Sequence, residues 1–153
     1  MNCRFCDERL EHLFLDLGDI PLANSFLKSE KIKTQEMRYS LKVFVCSKCF
    51  LAQLETNINP SELFRDYIYL SSFSDSWLEH CKNYSDMIVE KFQIEKNSTV
   101  IEIASNDGYL LNFFKNKGMK ILGIEPARNI AIIAERKGRP TISEFFEIGR
   151  AHV

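Results

Sequence analysis

The sequence predicts an α/β chain in two parts, a four-cysteine metal-binding module followed by the start of an open parallel sheet. The module is indicated by two Cys-x-x-Cys pairs, Cys3 with Cys6 and Cys46 with Cys49. The sheet is indicated by short apolar runs that alternate with helical patterns from Thr99 onward, a pattern typical of parallel strands covered by helices. A length of 153 residues allows one ordinary domain or two small ones.

The spacing of the four cysteines predicts a zinc site. Two thiolate pairs, each on a tight turn, provide the tetrahedral set that Zn²⁺ prefers, with Zn–S bonds of about 2.3 Å. The alternative is a pair of buried or redox-active dithiols, but the doubled spacing favours zinc. Four thiolates leave no position open for a substrate, so we expect the zinc to be structural.

We assign residues 1–58 to this zinc-binding module. The apolar runs Leu41–Val45 and Phe50–Leu54 flank the second cysteine pair and predict a hairpin that carries the pair at its tip. The segment Asp16–Phe26 contains a glycine and a proline, which argue against a continuous helix or central strand. We therefore expect an irregular loop there.

Residues 59–97 are predicted to form a helical connector. Pro60 suits the first turn of a helix. From Ser74 to about Phe92 apolar residues recur at spacings of three and four, which predicts an amphipathic helix. Its proposed inward stripe consists of Trp77, Cys81, Tyr84, Ile88 and Phe92. The fifth cysteine thus lies on an apolar stripe, where a free core thiol is the expected role.

Composition restricts location and partners. Five cysteines without a secretory signal fit a reducing compartment, so we expect a cytoplasmic protein. No apolar run approaches the roughly 18 residues of a membrane span. Lys and Arg number 20 against 21 Asp and Glu, a net charge of −1, which gives no electrostatic footprint for a nucleic-acid partner.

The third segment, residues 98–147, alternates strands and helices. The predicted order is a strand at Thr99–Ala104, a helix at Tyr109–Asn116, a strand at Lys120–Glu125, a helix from Pro126 to about Lys137, and a strand at Pro140–Ile142. Strand, helix, strand, helix, strand is the signature of a doubly wound, Rossmann-like sheet.

In such sheets the ligand lies outside the carboxyl end of the first strand, where the turn meets the next helix. The turn here is Glu102–Gly108, and its small residues allow the backbone to approach a ligand closely. Glu125 ends the second strand, where a carboxylate can accept hydrogen bonds from both ribose hydroxyls. Its alternative role is to cap the helix that starts at Pro126. Together these features predict an adenosine-containing cofactor.

The charges around the turn favour S-adenosylmethionine over a dinucleotide. A dinucleotide requires Gly-x-Gly-x-x-Gly, so that the pyrophosphate can bind at the helix N-terminus. This turn has one glycine and two acidic residues, Glu102 and Asp107. Carboxylates repel a pyrophosphate but suit a sulfonium or an amino group.

The motifs in their order resemble one family, the zinc-containing, S-adenosylmethionine-dependent C-methyltransferases of nucleotide-linked keto-deoxysugars. The resemblance extends to about Phe146 and rests on Cys3–Cys6, Leu17–Phe26, Val45–Cys49, Asp66–Ser72, Glu102–Leu111 and Gly123–Ala127. It implies a three-part enzyme in which a base removes the proton next to a ketone and the resulting enolate attacks the cofactor methyl group. The nucleotide sugar is the expected partner, and the oligomeric state is not indicated.

The resemblance also implies roles for individual residues. Cofactor binding would fall to Glu102, Ala104, Ser105, Asn106, Gly108 and Glu125. Substrate contacts would fall to Tyr67, Tyr69, Ser71, Ser72 and His80, where a hydroxyl beside the keto oxygen could stabilise the enolate. The alternative is packing of a loop between modules for the two tyrosines, and a solvated helix face for His80. The general base is expected beyond residue 153.

The resemblance implies a truncated methyltransferase domain, because sheets of this class have seven strands and only three are predicted here. The first strand would then be an exposed edge. Residues 148–153 depart from the family pattern and resemble a translated sequencing adapter, so His152 is not read as a ligand or catalyst. We expect the 153-residue chain to be inactive alone. The alternatives are a methyltransferase with another small-molecule acceptor, and a non-catalytic zinc-ribbon interaction module.

Overall fold

The computed structural model describes residues 1–33, 36–55 and 58–147. The chain divides into two compact units, Met1–Asn59 and Pro60–Val153, called here the N-terminal and the C-terminal unit. The architecture is a mixture of α and β structure, as predicted. The predicted adapter-like tail, residues 148–153, lies outside the described residues. No helix in the described segments has both the length and the apolar character required to cross a bilayer.

The N-terminal unit contains one antiparallel sheet. Its strands are β1 (His12–Ile20), β2 (Tyr39–Val45) and β3 (Ala52–Leu54), in the order β1-β2-β3, with a short 3-10 turn at Ser29–Lys31. The predicted hairpin is confirmed, because β2 pairs with β3 and the second cysteine pair lies between them. Every residue of β1 is exposed, and the buried residues of this unit are centred on cysteines.

The expectation of an irregular loop at Asp16–Phe26 is wrong over its first half, because β1 extends to Ile20. Gly18 has a φ of 71°, and the pairing with β2 shifts between Asp16 and Asp19. The glycine therefore forms a bulge in which the Asp16 carboxylate accepts a hydrogen bond from the Gly18 N–H at 2.8 Å. An edge strand tolerates this interruption, and Pro21 follows directly after the strand ends.

The C-terminal unit contains one parallel sheet, in the order β4-β5-β6. Its elements are α1 (Pro60–Phe64), a 3-10 turn (Ser71–Phe73), α2 (Asp75–Lys91), β4 (Thr99–Ile103), α3 (Tyr109–Asn116), β5 (Lys120–Ile124), α4 (Arg128–Arg136) and β6 (Thr141–Ile142). The predicted strand–helix alternation is confirmed. Gly118 and Gly138, just beyond α3 and α4, have positive φ values of 87° and 72°, which suits helix ends.

Helix α2 follows the prediction in its limits but not in its buried face. Ser74 caps it by accepting a hydrogen bond from the Trp77 N–H. The buried positions are Cys81 and Ser85, whereas Trp77 and Phe92 are 43% and 63% exposed. Two small residues one turn apart allow close packing against α3, so the buried face is narrower than the aromatic stripe suggested. Cys81 is a buried free thiol, as expected.

Candidate functional site

The four paired cysteines form a compact cluster in the N-terminal unit. Their sulfur atoms all lie within 4.8 Å of one another, and the Cys3–Cys49 and Cys6–Cys46 sulfur distances are both 3.5 Å. A tetrahedral zinc with Zn–S bonds of about 2.3 Å separates its sulfur ligands by about 3.8 Å. The donor set and its spacing therefore fit one zinc ion.

The two Cys-x-x-Cys turns have the same backbone geometry. In each, the carbonyl of the first cysteine accepts a hydrogen bond at 3.0 Å from the N–H four residues later, that of Asp7 or Phe50. Both of these residues have a left-handed φ, 60° and 63°. The N–H of each first cysteine donates to the carbonyl five residues later, at 2.7 and 3.1 Å. The chain thus builds the same metal-binding turn twice.

The backbone also makes the first cysteine of each turn acidic. The N–H of Cys6 is the foremost cause that lowers the pKa of Cys3 to about 6, against the effect of burial. The N–H of Cys49 similarly lowers the pKa of Cys46. The N–H of Leu51 lowers the pKa of Cys49, but burial and then the neighbouring thiols raise it to about 12. Ionisation of one thiol opposes ionisation of its neighbours, and a bound dication would remove this repulsion.

A second candidate site is a cavity of about 420 Å³ in the C-terminal unit. It lies at the carboxyl ends of β4 and β5 and is largely apolar. Its lining consists of Pro60, Phe64, Tyr67, Ser71, Ile103, Ala104, Asn106, Ile124, Glu125, Pro126, Glu144, Phe145 and Phe146. The volume lies within the usual range for small-molecule sites. Five of the eleven predicted cofactor and substrate residues therefore share this cavity: Tyr67, Ser71, Ala104, Asn106 and Glu125.

Glu125 is the buried acidic group of the cavity. One carboxylate oxygen accepts a hydrogen bond from the N–H of Asn106 at 2.8 Å, and the other accepts one from the N–H of Ala127 at 2.9 Å. Ala127 immediately precedes α4, so Glu125 does fasten the start of that helix. A carboxylate oxygen has two acceptor positions, so each oxygen can also accept a ligand hydroxyl.

Two asparagine side chains hold the segment Tyr67–Ser71 beside the cavity. Asn106 accepts a hydrogen bond from the Ser71 N–H at 2.9 Å and donates one to the Tyr69 carbonyl at 3.1 Å. Asn129 makes the same pair of bonds to the N–H and carbonyl of Tyr67, at 3.1 and 2.6 Å. The segment is therefore tied to the sheet turn and to α4 through its backbone. Its tyrosine and serine are among the cavity residues.

Asp107, one of the two acidic residues at the turn, is paired with cationic side chains of the fold. Its side chain is fully buried, and Lys137 Nζ lies 2.7 Å from one carboxylate oxygen. Arg139 approaches the same oxygen at 3.5 Å and donates to the Asp107 carbonyl at 2.6 Å. Burial alone would raise the pKa of Asp107, but the Lys137 hydrogen bond and the charges of Lys137 and Arg139 lower it. Its negative charge is thus neutralised within the fold.

Glu102 carries the remaining acidic group near the turn. It is partly buried, and burial, followed by the charge of Asp107, raises its pKa to about 7, with Glu125 adding to the effect. The N–H of Leu111 is its hydrogen-bond donor. Its second oxygen is buried and unpaired among the described residues. A cationic group brought beside it would supply the missing partner.

Comparison with known proteins supports the zinc site and relates the chain to a methyltransferase. Residues 3–64 match the family described as “Putative zinc binding domain”. The chain is also 34% identical over 152 residues to the C-methyltransferase NovU of Streptomyces niveus. The chain is a relative of C-methyltransferases. The alignment covers 97% of this chain and 36% of NovU, so the chain spans about a third of that relative's length. The family resemblance seen in the motifs is confirmed, and zinc binding is supported by the matched domain and the four-thiol cluster.

The other predicted substrate residues of this chain lie outside the cavity lining. Tyr69 is half exposed and contributes its carbonyl to Asn106. The Ser72 hydroxyl lies 3.5 Å from Lys137 Nζ. His80 is exposed and stacks on Trp77, with 5.2 Å between ring centroids.

Two small turn residues shape the backbone instead. Ser105 is fully buried against Gly123 of β5, where a side chain on the glycine would overlap its hydroxyl. Gly108 starts α3 with a φ of 70°, and a Cβ there would lie 2.8 Å from Arg139 Cδ. Both positions therefore require small residues for packing of the turn.

The sequence analysis did not identify several residues that line the cavity or hold its neighbouring segment. Asn129 was missed, although an amide in the first turn of a predicted helix is a signal for backbone contacts. The aromatic residues Phe64, Phe145 and Phe146 were missed because they lie in short or irregular segments without periodicity. Their position in the lining became visible once the sheet had brought the chain segments together.

Proposed function

We propose that this chain is part of an S-adenosylmethionine-dependent C-methyltransferase that acts on a nucleotide-linked keto-deoxysugar. In this proposal the C-terminal unit is the beginning of a Rossmann-like cofactor domain. The observation that carries the proposal is the position of Glu125, a buried carboxylate in an apolar cavity at the carboxyl ends of two parallel strands. Ligands of open α/β sheets bind at this edge.

The cavity provides the groups that an adenosine requires. Glu125 is placed to accept the two ribose hydroxyls with its remaining acceptor positions. The apolar and aromatic lining from Phe64, Ile124 and Phe145 offers flat surfaces to a purine ring. The backbone N–H groups of Asn106 and Ala127 fix the carboxylate, so that its geometry is set before the ligand arrives.

The methionine end of the cofactor would lie toward Glu102. Lys137 and Arg139 neutralise the charge of Asp107, whereas no ion pair among the described residues involves Glu102, whose second oxygen is buried and unpaired. A positively charged amino or sulfonium group would compensate the burial of this carboxylate. A pyrophosphate would instead be repelled, which supports S-adenosylmethionine over a dinucleotide.

The cofactor supplies an electrophilic methyl group. Tyr67 and Ser71, held by the two asparagines, are positioned to contact an acceptor beside it. In the proposed reaction the α-proton of the ketone passes to a base expected outside these 153 residues. The cofactor, when bound, would supply the methyl group that the enolate carbon accepts. The zinc cluster is assigned a structural role, because its four thiolates fill a tetrahedral ion.

Cofactor binding tests the proposal by calorimetry. We expect the zinc-loaded chain to bind S-adenosylhomocysteine and not NAD⁺, and Glu125→Gln to weaken binding by about tenfold or more, because one of the ribose acceptors is lost. The matched control is Glu90→Gln on the exposed face of α2, which should bind like the parent. Preference for NAD⁺, or equal binding by the two variants, would contradict the assignment.

Methyl transfer tests the acceptor and the inactivity of the chain alone. The 153-residue chain is expected to transfer no methyl group from S-adenosylmethionine to a nucleotide-linked keto-deoxysugar. Turnover by this chain would contradict the expectation that it is inactive alone. If the chain binds neither form of the cofactor, a zinc-ribbon interaction module becomes the better reading.

A further inference from the structure

We propose that Gln53 is a positioning residue for the zinc centre, which acts through the sulfur of Cys3. Its side-chain Nε2 lies 3.2 Å from Cys3 Sγ, so the amide donates an N–H···S hydrogen bond. Gln53 is 7% exposed and belongs to β3, which directly follows the second cysteine pair. It is the one amide side chain that contacts a cysteine sulfur in the hydrogen bonds of the described residues.

The other end of the same amide holds the first cysteine turn. Gln53 Oε1 accepts a hydrogen bond from the backbone N–H of Arg4 at 3.0 Å. Arg4 lies between Cys3 and Cys6, so both polar ends of the glutamine contact the first turn. The side chain therefore links the two halves of the site independently of the metal, because β3 is continuous with the second turn.

The chemistry of this contact bears on the metal. An N–H donor to a coordinating thiolate withdraws electron density from the sulfur and fixes the direction of its lone pairs. Groups that contact metal ligands in this way commonly change metal affinity by about 10–100-fold. Burial strengthens the effect, because water does not compete for the sulfur. We therefore expect Gln53 to slow zinc loss and to lower the electron density at Cys3.

Two substitutions separate the two ends of the amide. Gln53→Leu removes both hydrogen bonds. Gln53→Glu keeps an acceptor for the Arg4 N–H but replaces the donor to sulfur with an oxygen, so it tests the sulfur contact while the fold retains its other tie. The matched control is Arg4→Ala, because the Arg4 guanidinium also fastens the first turn to β3, through the Leu54 carbonyl at 2.8 Å, without contacting a sulfur.

The first readout is zinc transfer from the full 153-residue chain to a chromogenic chelator. We expect Gln53→Leu and Gln53→Glu to lose zinc at least about tenfold faster than the parent. Arg4→Ala should remain within about twofold of the parent if the sulfur contact is what matters. The proposal would be overturned if both Gln53 variants lost zinc at the same rate as Arg4→Ala.

The second readout is the sulfur-to-metal charge-transfer band of the Co²⁺-substituted chain. Loss of the N–H donor raises the energy of the sulfur electrons, so the band should move to longer wavelength in both Gln53 variants and stay in place in Arg4→Ala. A purely structural role of Gln53 would leave the band unchanged. If Gln53→Leu cannot be loaded with metal, the Gln53→Glu spectrum decides, and an unshifted band there refutes the positioning role.

Discussion

Replacing Glu102 with glutamine should stabilise the folded chain at neutral and alkaline pH. Burial, followed by the charges of Asp107 and Glu125, raises the pKa of Glu102 from 4.5 to about 7. The folded chain then binds this proton more tightly than the unfolded chain. The favourable contribution is complete below about pH 4.5 and is lost as the pH rises through about 7. The uncharged amide of Glu102→Gln avoids this loss and can still accept from the Leu111 N–H.

The expected size follows from the interval between the two pKa values. At about 1.36 kcal/mol per pH unit, the interval from 4.5 to about 7 corresponds to about 3 kcal/mol in the free energy of unfolding. The parent should therefore lose roughly 2.5 kcal/mol of this relative to Glu102→Gln as the pH rises from 5 to 8. The pKa of Asp107 is lowered, so this carboxylate remains ionised throughout the window and does not add to the difference.

Urea unfolding at fixed zinc concentration, followed by circular dichroism at several pH values, measures this difference. Glu90→Gln is the matched control, because the same chemical change is made on an exposed position of α2. Its pH profile should run parallel to that of the parent. A constant difference between Glu102→Gln and the parent from pH 5 to pH 8 would refute the reasoning, since it would show that Glu102 does not titrate in that window.

Three further outcomes are expected. Cys46→Ser, or zinc removal by a chelator, should unfold the N-terminal unit and leave the parallel sheet intact, as measured by two-dimensional NMR, because the cysteines form that unit's buried centre; persistence of the hairpin signals would contradict this. Asn129→Ala should increase amide hydrogen exchange at Tyr67, whose backbone loses its two hydrogen bonds to the Asn129 side chain. An unchanged exchange rate would show that Asn129 does not hold this segment. Gly123→Ala should destabilise the chain by roughly 1–3 kcal/mol through overlap with the Ser105 hydroxyl, measured by urea unfolding; if Ser105→Gly does not recover part of this loss, the overlap is not the cause.

Features with a local origin could be predicted from the sequence. The limits of α3 follow from its run of apolar residues and the glycine just beyond it, and they match the structure. Strand β5 begins where predicted and ends one residue earlier, at Ile124. The part of strand β1 from Asp16 to Ile20 was predicted as a loop, because a bulge at Gly18 cannot be recognised without knowing the partner strand. The buried face of α2 was misjudged for a similar reason: close packing on α3 selects the small Cys81 and Ser85.

The candidate site shows the same division. Asn106 and Glu125 could be placed together because both follow neighbouring parallel strands. Asp107 was counted with Glu102 among the acidic groups that suit a cationic cofactor, because its partners, Lys137 and Arg139, lie 30 and 32 residues further along the chain. A carboxylate's role depends on which charges the fold brings to it, and no local spacing encodes that contact.

The repeated cysteine turn has a consequence for synthesis on the ribosome. Cys3 and Cys49, which lie side by side in the structure, are separated by 46 positions. The first turn therefore leaves the ribosome as a complete two-thiol half-site well before its counterpart exists. Until then it must stay reduced, because oxidation of Cys3 with Cys6 would remove half of the ligands. Capture of the ion brings the two cysteine pairs together and closes a loop whose ordering costs on the order of 3 kcal/mol of chain entropy. The N-terminal unit therefore depends on a reducing environment from the moment its first cysteine pair is made until the second pair and the ion are both present.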